Sequence, residues 1–436
     1  MKLTYLSAIL LLASPLVQAN GLDLNLSKAM PAIEKFYLDL HQSPELSYHE
    51  QKTGKKIADR LTQLGFKVTS NVGGFGVVGI YKNGEGPTVM IRTDTDGLPI
   101  IEQTGKSYAS KVKVIDEHGA KVGVMHGCGH DIHMSSFIGT AEQLIAHKKQ
   151  WQGTLMMVAQ PAEEVGGGAK AMLSEGLFSK YAKPDHIIAL HVSASVPAGK
   201  VSMKNEYTMA SVDSVDITIK GKGGHGAYPH TTIDPVVIAA RTVLALQTIT
   251  SRELSPLEPS VITVGSIHGG SKHNVISDEV KLQLTLRSYN PDVRSAQIAA
   301  IKRITAGIAQ SAGLNESNYP VIYVHEDESI PSTYNNPAQT DIVRNSIASA
   351  IGDINVLETQ AVMAGEDFGL YGRTDENIPI TFFWLGGVNQ AQYADSIKTG
   401  EVLPSLHSSK FAPDYKVAIP TGIKAMSNAA VALFNK

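Results

Sequence analysis

Residues 125–133 read Met-His-Gly-Cys-Gly-His-Asp-Ile-His and contain the only cysteine of the chain, Cys128. A thiol and an imidazole two positions apart, Cys128 and His130, joined by a glycine that lets the backbone turn tightly, suit a borderline-soft metal such as zinc. The ordinary alternative is a small buried thiol; three histidines and an aspartate within five residues of it favour the metal. A second cluster, Gln160-Pro161-Ala162-Glu163-Glu164, ends a short apolar run and is followed by Gly166-Gly167-Gly168. Adjacent carboxylates at the end of a buried strand repel one another unless a cation compensates, and one can bind the metal while its neighbour handles protons. His191 ends the run Ile187-Ile188-Ala189-Leu190, and His407 follows Leu406 near the C-terminus. Each alone reads equally as a satisfied core histidine. Arg92-Thr93-Asp94-Thr95-Asp96 ends another strand, and its aspartates either orient metal-binding histidines or form a turn. His225, within Gly223-Gly224-His225-Gly226, and Asn274 can stabilise an oxyanion, while Arg287 can grip a carboxylate through two hydrogen bonds. Singly, these three also read as a hinge-loop histidine, a turn asparagine and a solvent-facing arginine.

The elements that must position these residues alternate. Residues 28–65 form two helices joined by Ser43-Pro44-Glu45-Leu46-Ser47, with Ile57, Leu61 and Leu64 at helical spacing and Gly65 as the stop. Strands are expected at 77–81, 89–92, 154–160 and 186–191, with a helix at 137–147 between the second and third. That pattern predicts an α/β domain with a mostly parallel, mixed sheet. Near residue 210 the character changes: Val215, Ile217 and Ile219 alternate with polar residues, as do Val280, Leu282, Leu284 and Leu286. Asp234-Pro235 opens a helix. The order β-α-β-β-α-β over 210–327 is that of a ferredoxin-like sandwich, inserted into a catalytic domain made of 20–209 and 328–436. After residue 328 a helix at 340–351, a strand at 380–385 and a helix at 419–434 complete the first domain.

Bulk properties exclude some classes. Lys2, an apolar run over 3–17 and Val17-Gln18-Ala19 predict a secretory signal peptide, 1–19, and an exported protein, periplasmic or secreted. The run is short for a spanning helix, and no cysteine directly follows it, so no membrane anchor is expected after cleavage. The net charge of −3, without a basic block, gives nucleic acid no electrostatic footprint. With one cysteine, stability must come from core packing and metal.

Together these segments resemble the M20 metallopeptidase family, within it the amidohydrolase branch of hippurate, N-acyl-amino-acid and auxin-conjugate hydrolases. The match begins at Leu40-His41 with Pro44-Glu45-Leu46-Ser47 and continues through 94–99, 126–131, 160–164, 223–230 with Asp234-Pro235, and Asn274-Val275-Ile276. It closes with Gly365-Glu366-Asp367-Phe368 and Leu406-His407. The resemblance implies that Cys128, His130, Glu164, His191 and His407 bind metal and that Glu163 is the general base. Five protein ligands plus solvent imply two divalent ions per subunit, zinc, manganese, cobalt or nickel, holding an activated water between them. Asp94, Asp96 and Asp131 are the candidates for supporting the ligands from behind. By the same resemblance His225 binds the oxyanion, from a partner subunit of a homodimer formed through the inserted domain, and Asn274 and Arg287 hold the free carboxylate of the amino-acid half. The expected activity is cleavage of an N-acyl amino acid to a carboxylic acid and a free amino acid. A dipeptidase or carboxypeptidase is the rival enzyme, and a metal-binding protein without turnover is the rival from another class. The chain departs from the family at Gly97, where alanine is common, at Ser277 in place of a proline, at Ser408 in place of a second histidine, and over 410–415, so the pocket near the C-terminus is expected to be its own.

Overall fold

Residues of the central strands alternate between two apolar faces, which requires a sheet covered on both sides. Val89, Ile91, Leu155, Met157, Ile188, Leu190, Phe383 and Leu385 are buried on one face, and Met90, Met156, Val158, Ile187, Ala189 and Phe382 on the other. The computed structural model describes residue 22, residues 24–116 and residues 119–436; the expected signal peptide lies outside the described residues. The large sheet contains β1 (Lys67–Val72), β2 (Gly76–Asn83), β3 (Thr88–Asp94), β4 (Gly153–Gln160), β5 (His186–Pro197), β6 (Val201–Met203), β7 (Val356–Glu358) and β8 (Ile380–Val388). Their order across the sheet is β1-β2-β4-β3-β5-β8-β6-β7. The four central strands run parallel, with Asp94 opposite Gln160 and His191 opposite Trp384. β3 connects to β4 through the helix His130–Ala146 on one face. β4 crosses to β5, on the other side of β3, through Gly168–Ser174 on the opposite face. The loops leaving the carboxyl ends of β3 and β4 therefore diverge, and a crevice opens between them, where ligands bind in sheets of this kind.

After β6 the chain builds a second sheet before returning. Its strands Asp213–Lys220, Ser260–Gly269, Glu279–Ser288 and Val321–Val324 are antiparallel, and the helices Pro235–Thr248 and Pro291–Ser311 pack on one face against Val215, Ile217, Ile219, Leu282, Leu284 and Leu286. This is the β-α-β-β-α-β order read from the alternating pattern. Asp234 caps the first of these helices, its carboxylate accepting the Val236 N–H at 2.8 Å.

Two helices begin earlier than their periodicity suggested. His130–Ala146 starts seven residues before Phe137 because it is buried nearly all round: Ile132, His133, Met134, Ser135 and Ser136 have no solvent face, so no polar stripe marks them. The last helix, Tyr415–Phe434, starts before Ile419 and carries Pro420 inside. It is the one helix among the described residues long and apolar enough to cross a membrane, but most of it is buried in the protein, with Phe434 stacked on Trp151 at 4.4 Å between ring centroids.

Candidate metal centre and substrate pocket

The turn at 127–129 aims two side chains at the crevice. Gly129 adopts φ +79°, and a Cβ there would lie 2.4 Å from Val192, so only glycine joins Cys128 to the helix that His130 begins. Cys128 Sγ lies 3.3 Å from His191 Nε2 on β5 and 3.3 Å from His407 Nε2. His407 Nε2 is 3.3 Å from Glu164, and Glu164 is 3.8 Å from His130 Nε2. The five residues expected as ligands thus form one continuous cluster, although His407 is distant in sequence; its N–H donates to Gly127 O at 2.9 Å, which ties the C-terminal segment to the cysteine turn.

Hydrogen bonds behind the histidines set their tautomers. His130 Nδ1 faces Asp96 O at 2.9 Å and His191 Nδ1 faces Val192 O at 2.7 Å; only a protonated nitrogen can donate to a carbonyl, so each Nε2 keeps its lone pair for the crevice. His133, which also lies in the crevice wall, is used up: its Nε2 accepts the Val192 N–H at 2.7 Å and its Nδ1 donates to Asp94 at 2.6 Å. His133 is thereby a support for β5 rather than a ligand.

Metal fits this residue set for two reasons independent of motif. His130 Nε2 and Glu164 Oε1 are buried without a hydrogen-bond partner, which is costly unless a cation takes both. Three buried carboxyl groups, Asp94, Glu366 and Asp367, also share one buried guanidinium, Arg92, and Asp96, Glu163 and Glu164 crowd the same site. In the absence of further positive charge, burial and its acidic neighbours Glu366 and Glu164 push the Glu163 carboxyl well above the usual range. Burial together with His130, Asp96 and Asp94 leaves Glu164 at about 7. Burial, Glu164 and Glu163 push the Cys128 thiol up. Divalent ions held by this set would supply the missing charge and let these groups ionise.

The aspartates divide by role. Asp96 accepts the Glu164 N–H at 3.0 Å and the Ser47 hydroxyl at 2.7 Å, so it fixes both a ligand's backbone and, through its carbonyl, a ligand's tautomer. Asp94 holds His133 and Arg92. Asp131 points elsewhere: its carboxylate lies 2.6 Å from His41, whose other nitrogen meets Glu102 at 3.2 Å, so it orients none of the ligand histidines. Helical geometry explains the difference, since residues 130 and 131 leave a helix about 100° apart.

Several supporting residues carried no sequence signal. Arg92, buried in the interior, binds Asp94 at 2.8 Å, Glu366 at 2.9 Å, Asp367 at 3.1 Å and Gln160 at 3.0 Å. Glu50 accepts the N–H of Ala162 at 2.8 Å. Ala162 sits at φ +51°, a conformation uncommon for a residue with a side chain, and so Glu50 clamps the bend that presents Glu163 and Glu164. Glu50 immediately precedes the helix Gln51–Gln63, far away in sequence, and nothing local ties it to residue 162.

Across the crevice the inserted domain contributes Arg287. It lines a cavity of about 800 Å³ together with Cys128, Glu163, Glu164, His191 and His407. Among the described residues no carboxylate lies within ion-pair distance of its guanidinium; Asp213, the closest influence on it, is taken by Arg294 at 2.7 Å and Ser329 at 2.7 Å. His225 and Asn274 do not line that cavity. They lie side by side on the small ladder that pairs His225 with Val275, where Gly226 N–H donates to Asn274 O at 2.9 Å, and both are exposed. The expectation that Asn274 joins Arg287 in one carboxylate site is therefore not met within a single chain.

The sequence has relatives among known proteins. The family described as Peptidase family M20/M25/M40 matches residues 90–400. Thermostable carboxypeptidase 1 of Saccharolobus solfataricus is 37% identical over 401 residues, covering 91% of this chain and 94% of that protein. N-acetyl-L-cysteine deacetylase of Bacillus subtilis is 35% identical over 352 residues, covering 80% of this chain and 78% of that protein. Among solved structures, the Bacillus subtilis YXEP protein, described as a dinuclear metal binding peptidase from the M20 family, superposes with a TM-score of 0.75 at 29% identity, covering 94% of this chain and 99% of that one.

Proposed function

The chain belongs to peptidase family M20/M25/M40 and is a hydrolase of amide bonds, and on that premise we propose that its substrates are N-acyl amino acids, cleaved to a carboxylic acid and a free amino acid. The observation that carries this reading is the pairing, in one cavity, of a proton-transferring carboxyl, Glu163, with an unpaired guanidinium, Arg287. An amide whose amine half ends in a free carboxylate satisfies both. Two divalent ions held by Cys128, His130, Glu164, His191 and His407 would supply Lewis acidity to a water molecule and to the amide carbonyl.

Glu163 takes the proton of the attacking water and returns it to the nitrogen of the leaving amine. Its burial and the neighbouring carboxyls favour the protonated form, and bound cations oppose them, so the group is suited to do both. Asp96, itself held by the Ser47 hydroxyl, fixes the Glu164 backbone, Glu50 holds Ala162, and Glu163 between them has little freedom to turn away. Arg287 binds the carboxylate of the amino-acid half and so sets which amide bond reaches Glu163.

His225 completes the reading if a second copy of the chain brings it. The inserted domain exposes Val236, Val237, Leu244 and Ile267 on its first helix and edge strand, which supports a homodimer through that domain. The exposed position of His225 and Asn274 suits delivery to a neighbouring subunit's cavity.

The Arg287 assignment has a direct check. Arg287→Ala is expected to raise KM for N-acyl amino acids by about tenfold to a hundredfold, the value of a charge-assisted hydrogen-bonded pair. The methyl esters of the same compounds, which lack the charge, should change little. Equal effects on acid and ester would remove Arg287 from the carboxylate site.

A further inference from the structure

The cavity that holds Glu163 continues into a second hollow of about 630 Å³, and the two share Ala364, Trp384 and Leu406. One side of the hollow is the end of β5, from Ser193 to Val196; the other is the helix Gln390–Thr399 with residues 400–406 after it, which contribute Tyr393, Ile397, Val402 and Leu403. This helix has no buried residue, so it adds nothing to the core. It is nonetheless fixed at its start: Asn389 caps it through Ala391 N–H at 3.0 Å and donates to Asp414 at 2.8 Å. Its Ile397 is 71% exposed and the following Val402 is 91% exposed, yet both line the hollow. Large apolar side chains held at the mouth of a reaction cavity without a partner in the protein are placed to meet an apolar group of a ligand. Among the described residues no lysine or arginine lines the hollow, and the only charged one is Glu401, at the exposed rim.

We propose that this hollow takes the acyl half of the substrate, that it selects a bulky, uncharged, apolar acyl group, and that Ile397 and Val402 are specificity-determining residues. The inference rests on the N-acyl-amino-acid reading above. With the carboxylate on Arg287 and the amide at Glu163, the acyl chain extends past Trp384 and Leu406 along the apolar side chains of the helix and of residues 402–403. A charged acyl group would have to leave water for a site with no opposite charge to meet an anion, and only a rim carboxylate to meet a cation.

The test is a series of N-acetyl, N-hexanoyl and N-decanoyl derivatives of one amino acid, assayed with the metal-loaded, full-length mature enzyme. Each methylene buried is worth about fourfold in kcat/KM, so the decanoyl compound should exceed the acetyl one by at least about a hundredfold. Ile397→Asp and Val402→Asp, at exposed positions where folding is not at stake, should each lower the decanoyl value by about tenfold or more and leave the acetyl value within about twofold. A flat series, with the acetyl compound cleaved as well as the decanoyl, overturns the acyl-site proposal and leaves the N-acyl-amino-acid reading standing. Equal losses on acetyl and decanoyl substrates in the two variants also overturn it. Cleavage of free-amine dipeptides that depends on the Glu401 charge, tested with Glu401→Gln, assigns the hollow to an ammonium-bearing group instead. Failure to cleave any member of the series sinks the underlying reading together with the proposal.

Discussion

Glu163→Gln is expected to lower amide hydrolysis by about 10²–10⁴-fold in kcat, with metal content and cooperative unfolding unchanged. Glutamine has the same shape and can keep a hydrogen bond, but it cannot take a proton from water and pass it to the leaving nitrogen. Glu163 is buried, its backbone is fixed from both sides, and its neighbour Glu164 faces His130 and His407. Both carboxyls lie 3.8 Å from His130 Nε2, but only Glu164 also meets His407, at 3.3 Å, while Glu163 neighbours Glu366. Metal analysis and turnover on the same preparation give a clear division. Retained turnover removes Glu163 from the proton-transfer role. Loss of turnover together with metal makes it a ligand instead.

Arg92→Met should be the most destabilising single replacement around the site, by about 3–5 kcal/mol, the cost of breaking a buried ion pair by removing one partner. A solvent-facing arginine would cost no more than about 0.5 kcal/mol. The guanidinium is fully buried and pairs with Asp94, Glu366 and Asp367; its loss leaves Asp94 to its histidines and strands Glu366 and Asp367 in the interior. They can respond only by taking protons, which sets a pH signature. In the parent protein Asp367 is already raised to about 8 by burial, with Arg92 opposing, so the folded form holds a proton that the unfolded chain releases. A carboxyl raised on folding contributes stability at low pH and loses it as pH rises through the folded value. Without Arg92 more carboxyls behave this way. The deficit of the variant, read from urea midpoints of chelator-treated protein, should therefore be larger at about pH 8 than at about pH 5.5. A deficit that does not depend on pH would mean that packing of the arginine stem, rather than its charge, is what the protein uses.

How far the site could be read from sequence follows from how local each part is. Cys128 with His130, and Glu163 with Glu164, announce themselves because each pair is adjacent or two apart, the first where a helix starts and the second just after a strand ends. His191 and His407 carry no such signal, and only the resemblance selected them from other strand-end histidines. The supports were invisible for the same reason in reverse. Arg92 follows the apolar run Val89-Met90-Ile91, and what partners it inside is Glu366 and Asp367, more than 270 residues away. Glu50 and Ala162 meet across 112 residues. The misplacements are equally physical. Asp131 adjoins a ligand in sequence but leaves the helix in another direction, toward His41. Asn274 resembles a site residue by motif, but it is exposed on a ladder outside the cavity that Arg287 lines, so the two do not meet within one chain. The architecture was more legible than the site because strands covered on both faces and strands exposed on one face write different patterns into the chain, and here one gives way to the other near residue 210. Helix starts were lost where burial on all sides erased the periodicity, as at His130.

Amino-acid release by the purified mature protein, loaded in turn with zinc, manganese and cobalt, tests the central claim most directly. N-acyl amino acids and free-amine dipeptides of the same amino acid should be compared side by side, with a chelated sample as the blank. The account predicts efficient release from the acylated compounds, little from the dipeptides and none from the chelated protein. Efficient cleavage of the free-amine dipeptides, with the acylated compounds left intact, would contradict it and make the chain a dipeptidase.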